Sequence, residues 1–212
     1  MIKFWSYKKE YSAYKSLFIK RIEKTLNTGT IFFGKELEVF EKTFTKKYKS
    51  KYGLAVRTGT DALLISLKAI GVKKGDEIIT AANTAIPTVS AILNAGCVPK
   101  LADIGEDYLL DLASVKKQIS SKTKAIIPVH LYGQSCDMDK IKILANKHKL
   151  KIIEDCAQSQ GAKYKNKHVG TIGHTGCFSF YPTKILGAYG DGGFILTNNF
   201  NLYKKMKRLR FY

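Results

Sequence analysis

The chain has no apolar run of the roughly eighteen residues that a membrane-spanning helix needs. Its first ten residues are charged and aromatic, without an apolar stretch ahead of a cleavage site, so no signal peptide is expected. Cysteine is scarce and scattered. Cys97, Cys136, Cys156 and Cys177 form no C-x-x-C pair, and His130, His148, His168 and His174 are equally dispersed. This spacing argues against both a zinc site and a disulfide framework; no metal is expected, and a reducing cytoplasm fits best. With four prolines and no low-complexity stretch, the chain has no evident linker. Acid is the under-supplied charge: 17 Asp and Glu against 36 Lys and Arg, a net +19. A balance that basic raises nucleic acid as a partner. However, the lysines run along the whole chain, densest near Lys42 to Lys51 and Lys204 to Arg210, with no aromatic-interleaved stripe or reader motif. The excess reads first as lysine-rich coding, then as attraction for phosphorylated small molecules; no nucleic acid and no membrane partner are expected.

What is present is enough apolar residue, 45% of 212, for one substantial core. Helical spacing of Tyr14, Leu17, Phe18, Ile22 and Leu26 predicts a helix over 12–26, and Leu37, Val39, Phe40, Phe44 and Tyr48 predict a second. From residue 53 strands and helices alternate. Strands are predicted at 54–56, 77–80, 98–104, 125–130, 151–154, 177–181 and 194–197, with helices at 61–70, 87–94, 111–119, 138–148 and 201–210. The organisation expected is a helical segment, 1–52, followed by a large α/β domain, 53–212, with a mostly parallel sheet covered on both faces. The chain stops directly after a basic helix, and a truncated protein is expected.

In such sheets ligands sit outside the carboxyl ends of the strands, and three strand ends carry suggestive chemistry. The stretch Cys177 to Tyr181 delivers Lys184 into a turn between Pro182 and the glycines at 187, 190, 192 and 193. Unlike most of the 36 basic residues, Lys184 has apolar, hydroxylic or glycine neighbours, the setting in which a lysine becomes a nucleophile; a surface lysine in a turn is the alternative. Arg57-Thr58-Gly59-Thr60-Asp61 joins a strand to a helix, where free amides and the helix dipole suit an anion, although a plain cap at Thr60 or Asp61 fits equally. The apolar strand Ile152-Ile153 ends in Glu154-Asp155, then Cys156-Ala157-Gln158. Without a His or Cys cluster beside it, Asp155 suits a cationic ring nitrogen better than a metal; a capping role is the alternative. A phosphate cradle, a carboxylate for a heterocyclic nitrogen and a nucleophilic lysine together make the inventory for pyridoxal phosphate.

These residues stand within a longer series: Gly34-Lys35-Glu36-Leu37, Thr58-Gly59-Thr60-Asp61-Ala62-Leu63, Gly75-Asp76-Glu77, Val129-His130-Leu131-Tyr132-Gly133-Gln134, Glu154-Asp155-Cys156-Ala157-Gln158, Phe178 to Lys184, and Gly190-Asp191-Gly192-Gly193. In that order they resemble the pyridoxal-phosphate-dependent DegT/DnrJ sugar aminotransferases, of the aspartate-aminotransferase (fold type I) superfamily. The segments Phe4 to Tyr11 and Asn83 to Thr88 look most like the branch that aminates C3 of dTDP-3-keto-6-deoxyhexoses. The resemblance implies that Lys184 is the Schiff-base lysine and proton shuttle and that Asp155 pairs with the pyridinium nitrogen. It further implies that Gln158 bonds the ring hydroxyl and that Gly59, Thr60 and Ser179 hold the phosphate. It implies glutamate as amino donor, a nucleotide-linked keto-deoxysugar as acceptor in surface-glycan synthesis, and a homodimer when full length.

Two departures stand out. Ala85 occupies the position where many members carry an aromatic residue over the cofactor ring, and the family's small C-terminal domain is expected to be missing from this chain. A non-catalytic fragment of such an enzyme is therefore the alternative reading. A sugar dehydratase on the same scaffold is disfavoured, because that branch carries histidine where this chain has Lys184. His130 is expected to be a hydrogen-bonded structural residue and His174 a turn residue, while Tyr181 and Tyr189 are candidates to line the pocket.

Overall fold

The computed structural model describes residues 6–211. The chain divides into two compact units, Met1–Thr43 and Phe44–Tyr212. In the first, α1 (Tyr7–Leu26) begins five residues earlier than its periodicity predicts. Its apolar stripe is uncovered: Tyr14, Leu17, Ile22 and Leu26 are all exposed. Helix α2 starts here (Lys35–Lys47), and Glu36 pairs with Lys24 of α1 at 3.1 Å. Val39 lies off the apolar face predicted for it and is exposed. Phe4 and Trp5 lie outside the described residues.

The second unit is built on one seven-stranded sheet in the order β1-β9-β8-β5-β4-β2-β3. Its strands are β1 (Tyr52–Val56), β2 (Glu77–Ala81), β3 (Val98–Ala102), β4 (Thr123–Ile127), β5 (Lys151–Asp155), β8 (Thr175–Ser179) and β9 (Gly193–Thr197). The contiguous set β3, β2, β4, β5 and β8 is parallel, while β9 runs antiparallel to both of its neighbours. Period two along the central strands feeds two cores. Ile78, Ala125, Ile127 and Ile153 face the one that also holds Leu63 and Leu67 of α3 (Gly59–Ile70), Ile92 of α4 (Ile86–Asn94) and Met206 of α7 (Phe200–Phe211). Ile79, Ile126 and Ile152 face the other, with Val115 of α5 (Leu112–Gln118) and Ile141 of α6 (Met138–Lys147). Each fully buried isoleucine contributes roughly 1.5–3 kcal/mol by removal from water. On that second face Phe44 and Tyr48 stack 4.5 Å apart and pack against Phe178. The expected large α/β domain, a mostly parallel sheet covered on both faces, is the one that forms.

The differences from the predicted elements have local causes. Strand β4 stops at Ile127 rather than residue 130 because Pro128 has no amide to give to the ladder. Strand β3 stops at Ala102 because the next amide, Asp103, donates to Ser114 Oγ. Strand β8 ends at Ser179 rather than Tyr181, whose amide turns back to Ser179 Oγ. A small hairpin, β6 (Lys163–Tyr164) with β7 (Lys167–His168), falls in a stretch with no predicted strand. Among the described residues no helix is long and apolar enough to cross a membrane.

Candidate active site

The sheet register brings the three predicted strand ends together. Val56, the last residue of β1, pairs with Gly193 of β9, and Gly193 pairs on its other side with Ser179, the last residue of β8. Further back along β8, Cys177 pairs with Asp155, the last residue of β5, and Val129 bridges to Asp155 from the far side. The segments following Val56, Asp155 and Ser179 therefore leave the sheet at the same end, where the parallel strands finish. They enclose a cavity of about 310 Å³ whose lining includes Gly59, Thr60, Asp155, Gln158, Ser179 and Lys184. That volume lies at the lower end of the range for small-molecule sites, roughly 300–1,000 Å³.

One end of the cavity is the start of α3. Its cap is Thr58, not Thr60 or Asp61: the Thr58 hydroxyl accepts the Asp61 amide at 3.0 Å, and its carbonyl accepts the Ala62 amide. Asp61 instead receives Arg57 at 3.0 Å on the surface. Capping thus uses up the third and fourth amides of the helix. Among the described residues the amides of Gly59 and Thr60 keep no acceptor, and they head a helix dipole. Gly59 is required here by space. A methyl group on it would lie 2.7 Å from Ser179 Cβ, closing the gap between the helix start and β8. Ser179 Oγ accepts the Tyr181 amide at 3.2 Å and still has its own proton to donate.

The other end holds Asp155, buried at 4% exposure. Its Oδ2 accepts the Thr88 hydroxyl at 2.8 Å and its Oδ1 accepts the Ala157 amide at 3.1 Å. Thr88 in turn lies 2.8 Å from Thr84 Oγ1. Because the carboxylate can only accept, Thr88 donates to it and Thr84 donates to Thr88. Burial pushes the Asp155 pKa above the usual carboxylate range; the bonds from Thr88 and Ala157 and the positive charge of Lys184 pull the other way without cancelling it. A buried carboxylate held this way is an incomplete ion pair, open to a cation. Gln158 stands on the wall three residues on, its carbonyl fixed by the Gly133 amide at 3.0 Å.

Lys184 is half-buried in the turn after β8, which the bond from its amide to the Tyr181 carbonyl at 2.8 Å closes. Among the described residues no hydrogen bond or ion pair holds its Nζ. Ala85 lines the cavity where an aromatic residue was expected to be missing, and Pro87, Val129 and Leu131 supply further apolar wall. Tyr181 lines the cavity; Tyr189 does not. Cys177 is at its floor, but burial drives its thiol pKa far up, so it is no nucleophile.

His130 and Glu154 lie behind the site, fully buried, and do not line it. Glu154 accepts the amides of Gly170, Ile172 and Gly173 at 2.7, 2.7 and 2.6 Å, and its Oε2 lies 3.1 Å from His130 Nε2. Nδ1 of His130 accepts the Cys136 amide at 3.1 Å. Burial opposes a charge on this ring, while the side chains of Cys136 and Glu154 raise its proton affinity more. Yet the Nδ1 lone pair is already occupied, and the geometry selects the neutral ring with its proton on Nε2. With Cys156 these two residues could be mistaken for a metal site; every Glu154 oxygen already faces two donors, so the cluster is a structural tie. His174 Nδ1 accepts the Ile152 amide at 3.1 Å, a tie between β5 and the start of β8.

Sequence reasoning gave no role to Thr88, although a hydroxyl in the first turn of α4, at the mouth of a strand, was visible. Nor did it see Gln160, whose side chain reaches the turn carrying Lys184.

This geometry has relatives. The chain matches the DegT/DnrJ/EryC1/StrS aminotransferase family over residues 13–212. It is 41% identical to a dTDP-3-amino-3,4,6-trideoxy-alpha-D-glucose transaminase of Micromonospora megalomicea subsp. nigra, over 98% of this chain and 56% of that protein. Among solved structures it superposes on DesV of S. venezuelae, in complex with a ketimine intermediate, with a TM-score of 0.95 and 37% identity, covering 100% of this chain and 57% of that one. It also superposes on NtdA of Bacillus subtilis with bound cofactor PMP, with a TM-score of 0.83 and 38% identity, over 89% and 42%. The chain thus spans just over half the length of the curated relative. A family match across nearly the whole chain, on a fold superposing at this level, places this protein in the DegT/DnrJ/EryC1/StrS aminotransferase family.

Proposed function

We propose that the cavity binds pyridoxal phosphate and that the chain carries the transaminase half-site for a nucleotide-linked keto-deoxysugar, of the dTDP-3-keto-6-deoxyhexose class, with glutamate as amino donor. The observation that carries this reading is the convergence of Gly59, Thr60, Asp155, Gln158, Ser179 and Lys184 on one cavity from three separate strand ends. The residues fit the cofactor on their own terms. Two helix-start amides without acceptors suit a phosphate, a side chain at Gly59 would fill the cradle, and a buried carboxylate with a raised pKa suits a protonated ring nitrogen.

When bound, the cofactor supplies an aldehyde that takes up an amine and a ring that withdraws electrons from the carbon being deprotonated. The protein supplies the rest. The amides of Gly59 and Thr60 and the hydroxyl of Ser179 hold the phosphate, Asp155 keeps the ring nitrogen protonated, and Gln158 orients the ring hydroxyl. Lys184 Nζ would be the amine that holds the aldehyde and, as a free amine, the group that could carry a proton. Burial of Asp155 makes its attraction for a ring cation stronger than it would be in water.

The relative from Micromonospora megalomicea is a dTDP-3-amino-3,4,6-trideoxy-alpha-D-glucose transaminase, which supports the substrate class, and the bound PMP of NtdA supports the cofactor. A homodimer and a cytoplasmic place in surface-glycan synthesis follow from the same reading. The test is a half-reaction. The chain loaded with pyridoxal phosphate should release 2-oxoglutarate from glutamate, and Lys184→Ala should not. Equal release from both, or from neither, contradicts the reading.

A further inference from the structure

The turn that carries Lys184 has little apolar anchorage of its own. Ile185 and Leu186, which follow the lysine, are 74% and 50% exposed, and Tyr181 before it is 54% exposed. Its position must therefore be set by hydrogen bonds. Two lie within the turn: Lys184 N to Tyr181 O at 2.8 Å, and Ala188 N to Phe180 O at 2.7 Å. Three more come from one side chain outside it. Gln160 Nε2 donates to the Ser179 carbonyl at 2.7 Å and to the Leu186 carbonyl at 3.3 Å, and Gln160 Oε1 accepts the Leu186 amide at 2.6 Å.

These contacts fall on both sides of the lysine. Ser179 ends the strand before the turn, and Leu186 is two residues after Lys184. Gln160 is itself held in place: the amide of the next residue, Gly161, donates to the buried Tyr48 hydroxyl at 2.8 Å. It stands two residues beyond Gln158, on the segment that begins at Asp155. One short stretch after β5 thus lines the cavity with Asp155 and Gln158 and, through Gln160, grips the loop that brings in the amine.

We propose that Gln160 is a positioning residue that fixes the Lys184 loop, so that the amine meets a ring located by Asp155 and Gln158. The proposal rests on the cofactor reading above. A bare spacer at position 160 would remove all three of these bonds to the loop, and the lysine would sample positions away from the cavity.

The first measurement needs no cofactor. Amide exchange at Leu186 in Gln160→Ala should be roughly tenfold faster than in wild type, because its acceptor is gone and the turn is exposed. Gln160→Glu keeps an acceptor for Leu186 and loses both donors, so Leu186 should remain protected. The second measurement is the rate at which borohydride fixes added pyridoxal phosphate onto Lys184. It should fall about tenfold in Gln160→Ala and by less in Gln160→Glu, with circular dichroism unchanged. Wild-type exchange at Leu186 together with wild-type trapping in both variants overturns the proposal. Trapping in wild type that is no greater than in Lys184→Ala, with Leu186 exchange still responding to position 160, would remove the cofactor reading and with it the purpose assigned to this clamp.

Discussion

The Thr88 hydroxyl donates to Asp155 Oδ2 at 2.8 Å, with both residues almost wholly excluded from solvent. Without that donor a carboxylate in this position would be charged, buried and supported on one oxygen alone. Thr88, in the first turn of α4, thereby favours the anionic form of Asp155, which can pair with a ring nitrogen.

Replacing Thr88 with valine preserves shape and deletes the donor. A hydrogen bond to a charged group is worth about 1.5–3 kcal/mol, so affinity for pyridoxal phosphate should drop roughly ten- to a hundredfold. Thr88→Ser should keep most of it. A fluorescence or absorbance titration reads both, and a valine variant with wild-type affinity contradicts this role.

The raised pKa of Asp155 also has a stability consequence. A carboxyl group whose pKa is higher folded than unfolded binds its proton better in the folded state. Its contribution is therefore favourable at acid pH and is lost as pH rises from the unfolded value through the folded one. At neutral pH without cofactor, Asp155 costs stability, and Asp155→Asn should melt higher than wild type. The gain should vanish toward pH 4. Melting curves of the cofactor-free proteins at several pH values check this; a lower melting temperature for the variant at pH 7 contradicts it.

Glu154, by contrast, should stabilise the fold. Its buried carboxylate satisfies three backbone amides of the 170–173 loop and the His130 ring. Glu154→Ala leaves four donors without this acceptor, two of them fully buried, and should cost about 3–5 kcal/mol. Denaturant unfolding measures it. A loss under 1 kcal/mol would show that the loop finds other acceptors.

Much of this site is legible in the chain because each strand end is short and chemically distinct. The apolar pair Ile152-Ile153 runs into two carboxylates, and Lys184 follows a hydroxyl-bearing strand; neither needs tertiary knowledge to be noticed. Period two at Ile78-Ile79 and Ile152-Ile153 likewise announces a sheet covered on both faces. The unread parts depend on partners distant in sequence. The hairpin at 163–168 turns on Lys165 and Asn166, both at positive φ, without the glycine that usually marks such a turn. The division of labour between adjacent acids was also hidden. Asp155 faces the cavity and Glu154 the loop behind it because neighbours on a strand point to opposite faces; only the fold shows which face is which. The Gln160 contacts span 19 and 26 residues and leave no local pattern.

The most direct test of the whole account is the spectrum of the purified chain as pyridoxal phosphate is added. Wild type should develop a saturable visible band that sodium borohydride fixes as a covalent adduct on Lys184, and Lys184→Ala should show neither the band nor the adduct. An identical spectrum from the two proteins, or an adduct on a different lysine, would contradict it.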